Sequence, residues 1–309
     1  MQTDLKIGTR GSPLALYQAE EVRDRLVATG AVSGKIEIMV IKTSGDAIQD
    51  RALRDAGGKE LFTKEIEQAI LDGIVDIGVH SAKDMATELP PSLIMAAYLP
   101  REDVRDAFLS PNAASIADLP LGARIGTASL RRQAQVLALR PDLEVVLFRG
   151  NVQTRMRKLK AGEADATLLA LAGLKRLGLE EIVSSIIPVE EMLPAVGQGA
   201  ICIEALENSL AAAIAGSLND ADTADCVIAE RAFLAALDGS CRTPIAALAT
   251  MEAGELHLNC EVLSPDGKIS HRRSGVCVRS DGAELGYGLG KELRDMLPSD
   301  FFEDIPAPE

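Results

Sequence analysis

The sequence predicts an α/β fold in which two duplicated α/β domains surround a central cleft and a smaller C-terminal α+β domain follows. The chain has 309 residues, which is too long for one ordinary core and fits two or three domains. Strand-to-helix motifs near the N-terminus recur in the same order about one hundred residues later. After about Asp222 the pattern changes to a helix followed by alternating strands, which indicates a separate third domain.

The clearest repeated motif is a strand that runs into a capped helix. Residues 5–8 predict a short strand, Ser12 is a typical helix N-cap, and Pro13 suits the first helical position. The same order of strand, Ile-Gly-Thr turn, serine and helix returns at 124–132. We therefore predict equivalent strand-to-helix turns in the two segments.

Two further matches extend the duplication. They pair residues 36–42 with 143–149, and residues 63–66 and the turn 73–76 with 154–157 and 162–165. Near-continuous apolar strands that alternate with helices predict parallel sheets. Because ligands of open α/β sheets bind beyond the carboxyl ends of the strands, we expect the site in the cleft between the two copies.

The domain boundaries follow from two Pro-bearing joints, at 99–101 and 193–199, which look like crossovers and hinges. The apolar strand 200–205 is expected to return to the first domain. The third domain is expected to begin with a helix over 222–237 and to end with one over 282–297. The predicted domains are 1–99 plus 200–217, 100–199, and 218–309.

Composition excludes several classes of protein. The net charge is −14, so the molecule repels nucleic-acid phosphates and anionic lipid, and aromatic residues are only 3%. No apolar run approaches the roughly 18 residues of a membrane span, and the N-terminal residues carry no export signal. We therefore expect a soluble, cytoplasmic protein with neither nucleic acid nor membrane as a partner.

The five cysteines are widely spaced, and none forms a CxxC pair. This pattern argues against a zinc site and against a disulfide framework, so we expect no metal and a reducing compartment. Four of them lie in apolar patterns typical of inert packing residues. Cys241 instead lies in a Gly/Ser turn beside Arg242, a setting that favours the thiolate, although an unreactive loop thiol is the alternative.

Basic residues stand at strand ends, loops and helix starts of this acidic chain. They are Arg10, Lys83, Arg131, Arg132, Arg149, Arg155 and Arg176. Arginine binds carboxylates with two parallel hydrogen bonds, so a cleft lined by six or seven bases suits a substrate with many carboxylates. Solvated surface charges are the alternative interpretation.

One polar strand end differs between the two copies. The apolar strand 75–79 runs into His80-Ser81-Ala82-Lys83-Asp84, whereas the second copy has only 169–173 at this point. A polar strand end that only one copy retains indicates a site for chemistry at Asp84. A surface ion pair or a cap is the alternative for Asp84, and His80 is assigned no chemical step.

Seven motifs together resemble porphobilinogen deaminases in order and spacing, over nearly the whole chain. They are TRGSPLAL (9–16), HSAKD (80–84), GTASLRRQ (126–133), LRPDL with FRGNVQTR (139–155), LAGLKRLG (171–178), LPAVGQGA (193–200) and DGSCRTPI (238–245). The resemblance implies two domains of the type found in periplasmic binding proteins. It also implies a transferase that adds four porphobilinogen molecules head to tail to a dipyrromethane cofactor, then releases hydroxymethylbilane, with loss of ammonia.

The same resemblance implies a role for each matching residue. Cys241 would carry the dipyrromethane through a thioether, and Asp84 would donate a proton as ammonia leaves and stabilise the resulting azafulvenium cation. The implied cofactor contacts are Lys83, Ser129, Arg131, Arg132 and Arg155. The implied substrate contacts are Arg10, Ser12, Gln18, Thr127, Arg149, Arg155 and Arg176. The family also implies a monomer and a mobile flap at 46–59.

Some positions depart from the common family pattern. Ala86 stands where a proline usually follows the aspartate by two, Ala128 replaces a serine, and Ser240 replaces a glycine before the cysteine. None of these departures removes an implied functional group. A two-lobed protein that binds a small anion for transport or sensing is the non-enzymatic alternative. A deaminase-like protein that has lost cofactor assembly is a second alternative.

Overall fold

The computed structural model describes residues 4–47, 62–237, 243–298 and 301. The first part of the chain contains β1 (Leu5–Thr9), α1 (Pro13–Thr29), β2 (Ile36–Val40), α2 (Ser44–Ala47), α3 (Lys64–Leu71), β3 (Ile77–Ser81) and β4 (Leu93–Tyr98). The second contains β5 (Asp106–Leu109), β6 (Arg124–Thr127), α4 (Leu130–Leu139), β7 (Glu144–Leu147), α5 (Val152–Lys160), β8 (Ala166–Ala170), α6 (Leu171–Arg176) and β9 (Ser185–Ile187). The remainder contains β10 (Ile201–Leu206), α7 (Leu210–Gly216), α8 (Ala221–Ala236), β11 (Ile245–Glu252), β12 (Glu255–Leu263), β13 (Ser270–Val278) and α9 (Gly282–Met296).

The duplication predicted from the sequence extends to the strand order of two five-stranded sheets. The orders are β2-β1-β3-β10-β4 and β7-β6-β8-β5-β9. The first three strands of each sheet are parallel, and β10 returns to the first sheet as predicted. The expected α/β class with two duplicated units is therefore confirmed.

The expectation of purely parallel sheets is wrong for one strand in each sheet. β10 runs antiparallel to β3 and β4, and β5 runs antiparallel to β8 and β9. Both strands begin where the chain has just crossed from the other sheet. A strand that enters at the cleft edge must run away from it, opposite to strands that end there.

Local chemistry explains the repeated strand-to-helix turns. The Ser12 hydroxyl accepts a hydrogen bond from the Ala15 amide at 3.3 Å, and Pro13 begins α1, as predicted. Ser129 caps α4 in the same way, through the Arg132 amide at 3.4 Å. The glycine of the second Ile-Gly-Thr turn, Gly126, lies so close to the Phe148 ring that no Cβ would fit.

The third unit is an antiparallel sheet, β11-β12-β13, packed against α8 and α9. Its core contains Phe233, Leu258 and Val262, all with no exposed surface. Gly286 and Gly290 of α9 lie against the backbone of α8, which lets the two helices approach closely. Among the described residues, no helix has both the length and the hydropathy needed to cross a bilayer.

Candidate active site

A cavity of about 440 Å³ lies between the two five-stranded sheets, where β1, β3, β6 and β8 end. Residues at the starts of α4 and α5 line one side, and residues around Asp84 line the other. Thr243 and Ile245 of the third unit also line it. A smaller pocket of about 60 Å³ shares Arg10, Ser12 and Asp84 with the cavity. The cleft between the copies, predicted from the sequence, is therefore present.

Most of the residues selected from the sequence lie around this cavity. Those that line it are Arg10, Ser12, Lys83, Asp84, Ser129, Arg131, Arg132, Arg149 and Arg155, and Gln18 lines the smaller pocket. Thr127 and Arg176 line neither of these two. The Thr127 hydroxyl accepts a hydrogen bond from the Ser129 amide at 3.1 Å, and an Arg176 Nη donates to the Gly199 carbonyl at 2.9 Å.

The N-termini of α1, α4 and α5 line the cavity, and Ser12 caps the first of them. Ser129 caps α4, and the Asn151 side chain caps α5 by accepting from the Thr154 amide at 2.9 Å. Free N–H groups at a helix start and the helix dipole both favour a bound anion. The backbone therefore adds to the positive potential of the basic side chains.

The bases on the cavity wall are close enough to perturb one another. Burial, together with the nearby Arg132 charge, lowers the pKa of Lys83 to about 8. Burial and the charges of Arg132 and Arg149 lower the pKa of Arg155 to about 10. Crowded positive charges of this kind become favourable when a ligand brings carboxylates between them.

Arg131 and Arg132 form a buried cluster with Asp106. Asp106 has no exposed surface and accepts from Arg131 Nη1 at 2.8 Å and from Arg132 Nη2 at 2.7 Å. Burial alone would raise the pKa of this carboxyl, but the two guanidiniums hold it well below its usual range. Gln198 Nε2 also donates to Asp106, at 3.0 Å.

Asp106 and Gln198 were not selected from the sequence. The available signal was a single carboxylate at the start of the apolar strand Asp106–Leu109, which requires a buried partner. The partner arginines lie about 25 positions later in the chain, so no local spacing connects them.

Asp84 ends a single turn of 3₁₀ helix, Ala82–Asp84, directly after β3. It is the one acidic side chain among the described residues that line the cavity. It contributes electrostatically to the pKa values of Lys83 and Arg155. A carboxyl placed among several bases on a concave wall can exchange a proton with a bound amine and stabilise a nearby positive charge.

His80, four residues before Asp84, lies in a buried pair. Its Nε2 is 3.2 Å from Glu204 Oε2, and both side chains are almost fully buried. Glu204 belongs to β10, the strand that returns from the second sheet. This contact gives His80 a structural partner, and no chemical step had been assigned to His80 from the sequence.

Cys241 and its neighbours Ser240 and Arg242 lie outside the described residues. Residues 48–59, which make up most of the predicted flap, also lie outside them. The other four cysteines are free thiols. Burial raises the pKa of Cys202 and Cys260 well above the usual range and that of Cys226 to about 11. Burial also raises the pKa of Cys277. These four are therefore poor nucleophiles at neutral pH.

Two family models match the chain. The model for "Porphobilinogen deaminase, dipyromethane cofactor binding domain" matches residues 5–213, and the model for the C-terminal domain of the same family matches 224–295. Among solved structures, the methionine-binding protein MetQ has a TM-score of 0.46 at 10% identity, covering 70% of this chain and 89% of that one.

Curated relatives are similar over almost the full length. The porphobilinogen deaminase of Nitrobacter hamburgensis is 55% identical over 97% of this chain and 96% of its own. That of Paracoccus denitrificans is 52% identical over 98% and 97% of the two chains. The chloroplastic enzyme of Oryza sativa is 51% identical over 97% of this chain and 86% of its own. The chain therefore belongs to the porphobilinogen deaminase family.

Proposed function

We propose that the basic cavity is where this protein joins four porphobilinogen molecules head to tail onto a covalent dipyrromethane and releases hydroxymethylbilane and ammonia. The observation that carries the proposal is a single carboxyl, Asp84, on a wall otherwise charged only by bases among the described residues. The non-enzymatic alternative explains the bases but gives no reason for an acid among them.

The basic residues fit a ligand that carries many carboxylates. Each pyrrole ring of the substrate bears an acetate and a propionate, so every added ring brings two negative charges into the cavity. Arg131 Nε is buried and has no hydrogen-bond partner among the described residues, so one donor of this arginine is unused within the protein.

We assign the residues to two groups by the family resemblance. Dipyrromethane would be held by Lys83, Ser129, Arg131, Arg132 and Arg155. Incoming and terminal rings would be held by Arg10, Ser12, Gln18, Thr127, Arg149, Arg155 and Arg176. For Thr127 and Arg176, which do not line the cavity, the proposed role requires that the bound ligand or a closure of the cleft bring them into contact.

Asp84 is proposed as the acid/base residue. When bound, dipyrromethane supplies the nucleophilic pyrrole carbon to which the first substrate ring is joined. The Asp84 carboxyl would give a proton to the departing amine, and its carboxylate would then stabilise the positive charge left on the substrate ring.

Cys241 is proposed as the thioether attachment point. The proposal is supported by the raised pKa values of the other cysteines and by Thr243, two residues later, on the cavity wall. By the family resemblance we further propose a monomer. We propose a cytoplasmic location because the free thiols of the described cysteines are typical of reducing compartments. The proposed domains are 1–99 plus 200–217, 100–199, and 218–309, because each sheet falls within one of them.

The experiment that tests the proposal is Asp84→Asn, assayed by ammonia release from porphobilinogen. The amide keeps the size of the side chain but removes the charge and the proton. We expect a folded protein that still acquires dipyrromethane and turns over at least about 10²-fold more slowly. Asp84→Glu is expected to be milder, because it keeps the carboxylate and displaces it by about one methylene.

Asp76→Asn is the matched control. Asp76 precedes the opposite end of β3 and accepts a hydrogen bond from the Lys6 amide at 2.7 Å, away from the cavity. Its turnover is expected to equal that of the wild type. Wild-type turnover in Asp84→Asn would instead make Asp84 a structural loop carboxylate and would require another acid.

A further inference from the structure

An arginine of α8 holds the loop that follows Asp84. One Nη of Arg231 donates to the carbonyl oxygens of Ala86 at 2.7 Å and of Thr87 at 3.0 Å. Within the described part of the chain, no carboxylate lies within ion-pair distance of Arg231. Its half-buried guanidinium instead donates to these two backbone carbonyls.

The same helix contacts the loop at a second point. Met85 is 1% exposed and packs in one apolar cluster with Ala224 and Val227 of α8. Val227 precedes Arg231 by four positions, so both lie on the same face of the helix. The residues directly after Asp84 are thus fixed to α8 by a buried side chain and by two hydrogen bonds.

The loop needs this restraint because its own sequence does little to restrict its backbone. Residues 85–89 include no proline, and an alanine at position 86 leaves the backbone free in φ. A guanidinium that bridges two consecutive carbonyls restricts this freedom from outside the loop. The cost of ordering the Ala86 backbone is thereby offset by two charge-assisted hydrogen bonds.

We propose that Arg231 is a positioning residue for the proposed reaction: it fixes the Asp84 carboxyl relative to the substrate amine by holding the Ala86 and Thr87 carbonyls. The inference rests on the acid/base role proposed for Asp84. α8 ends at Ala236, five positions before Cys241 in the sequence. One helix therefore both holds the loop of the acid and leads into the segment that bears the attachment cysteine.

The test is Arg231→Met, which keeps a long apolar stem and removes the donors. A misplacement of about 1 Å at a reacting group can cost about 10²-fold in rate, so we expect kcat to fall by about 10- to 100-fold. KM is expected to change by less than about threefold, because the bases that bind carboxylates are untouched. The intact mass of the variant is expected to retain the dipyrromethane increment.

Arg231→Lys is the conservative variant. Its ammonium can still donate to one or both carbonyls, so kcat is expected to recover by at least about threefold relative to Arg231→Met. Unchanged kcat in the cofactor-bearing Arg231→Met protein would overturn the inference, and so would a lysine variant no better than methionine.

Arg140→Met is the matched control for structural damage. Arg140 also donates to backbone carbonyls, those of Ile116 at 3.0 Å and Leu119 at 3.1 Å, on the side of the second sheet away from the cavity. Unlike Arg231 it also forms an ion pair, with Asp142 at 2.7 Å. This variant is expected to lower the melting temperature and leave kcat per cofactor-bearing molecule unchanged. A purely structural role for Arg231 predicts the same behaviour for Arg231→Met.

A double variant separates this inference from the function on which it rests. If Arg231 acts through Asp84, Arg231→Met in the Asp84→Asn background is expected to lower kcat by less than about threefold further. Fully additive losses would overturn the positioning role while leaving Asp84 as the acid. Wild-type activity in Asp84→Asn alone would overturn the proposed function instead.

Discussion

Asp106 is expected to be one of the carboxylates on which the stability of this protein depends most. It accepts hydrogen bonds from Arg131 Nη1, Arg132 Nε, Arg132 Nη2 and Gln198 Nε2, at 2.8, 3.2, 2.7 and 3.0 Å. Asp106→Asn keeps the shape but removes the negative charge between two buried guanidiniums. Its amide NH₂ group would also face other donors.

The expected loss of stability depends on which hydrogen bonds Arg131 and Arg132 keep in the variant. Breaking a buried ion pair costs about 3–5 kcal/mol, because one charge is left without compensation. Arg131 keeps its hydrogen bond to the Leu193 carbonyl at 2.8 Å, and Arg132 keeps its hydrogen bond to the Leu168 carbonyl at 2.9 Å. We therefore expect a free-energy cost near the lower end of this range. At about 2–4 °C per kcal/mol for a large domain, the melting temperature is expected to fall by about 6–12 °C.

The assay is thermal unfolding followed by circular dichroism, as a function of pH. The pKa of Asp106 is lowered in the folded state, so its contribution is present above about pH 4 and is lost as the pH falls further. The gap between wild type and Asp106→Asn is therefore expected to narrow below pH 4.

The control is Asp24→Asn, which breaks an exposed ion pair whose aspartate side chain is 67% exposed and is expected to cost less than about 1 kcal/mol. A shift of less than 2 °C in Asp106→Asn would refute the reasoning.

Two further predictions concern the bases. Because the pKa of Lys83 is lowered to about 8, Lys83 loses its charge as the pH rises from about 7 to 9. In the cofactor-free Cys241→Ser variant, porphobilinogen can enter the part of the cavity assigned to dipyrromethane, so its binding is expected to weaken over that pH range. Calorimetry is expected to show that porphobilinogen binding depends much less on pH when Lys83→Met is added. An unchanged pH dependence would contradict the prediction for Lys83. Arg131→Leu and Arg132→Leu are expected to block dipyrromethane attachment. Arg149→Leu and Arg176→Leu are expected to keep the attached dipyrromethane and to impair chain extension. Normal turnover in all four variants would make these arginines structural.

The repeated units were predictable because their signals are local. Ser12 and Pro13 define one helix start, Ser129 defines its counterpart, and both caps are present. Strand direction was not predictable in the same way. Whether β5 and β10 run parallel depends on which edge the chain enters after crossing between sheets, and no local residue pattern encodes that choice.

In the candidate site, too, local features could be predicted from the sequence and long-range contacts could not. Bases at strand ends were identified because their position repeats, and nine of the selected residues line the cavity. The partners of those bases were missed because they are distant in sequence. Asp106 is about 25 positions from its arginines. The contact between Arg231 and Ala86, 145 positions apart, was missed for the same reason. Contacts of this kind are created by the fold and become visible only in three dimensions.

The most direct test of the central claim is the intact mass of the purified protein and of its Cys241→Ser variant. The account predicts that the wild type exceeds its sequence mass by two linked pyrrole units, that Cys241→Ser has the bare mass, and that Cys226→Ser keeps the increment. A bare wild-type mass, or an increment that persists on Cys241→Ser, would contradict it.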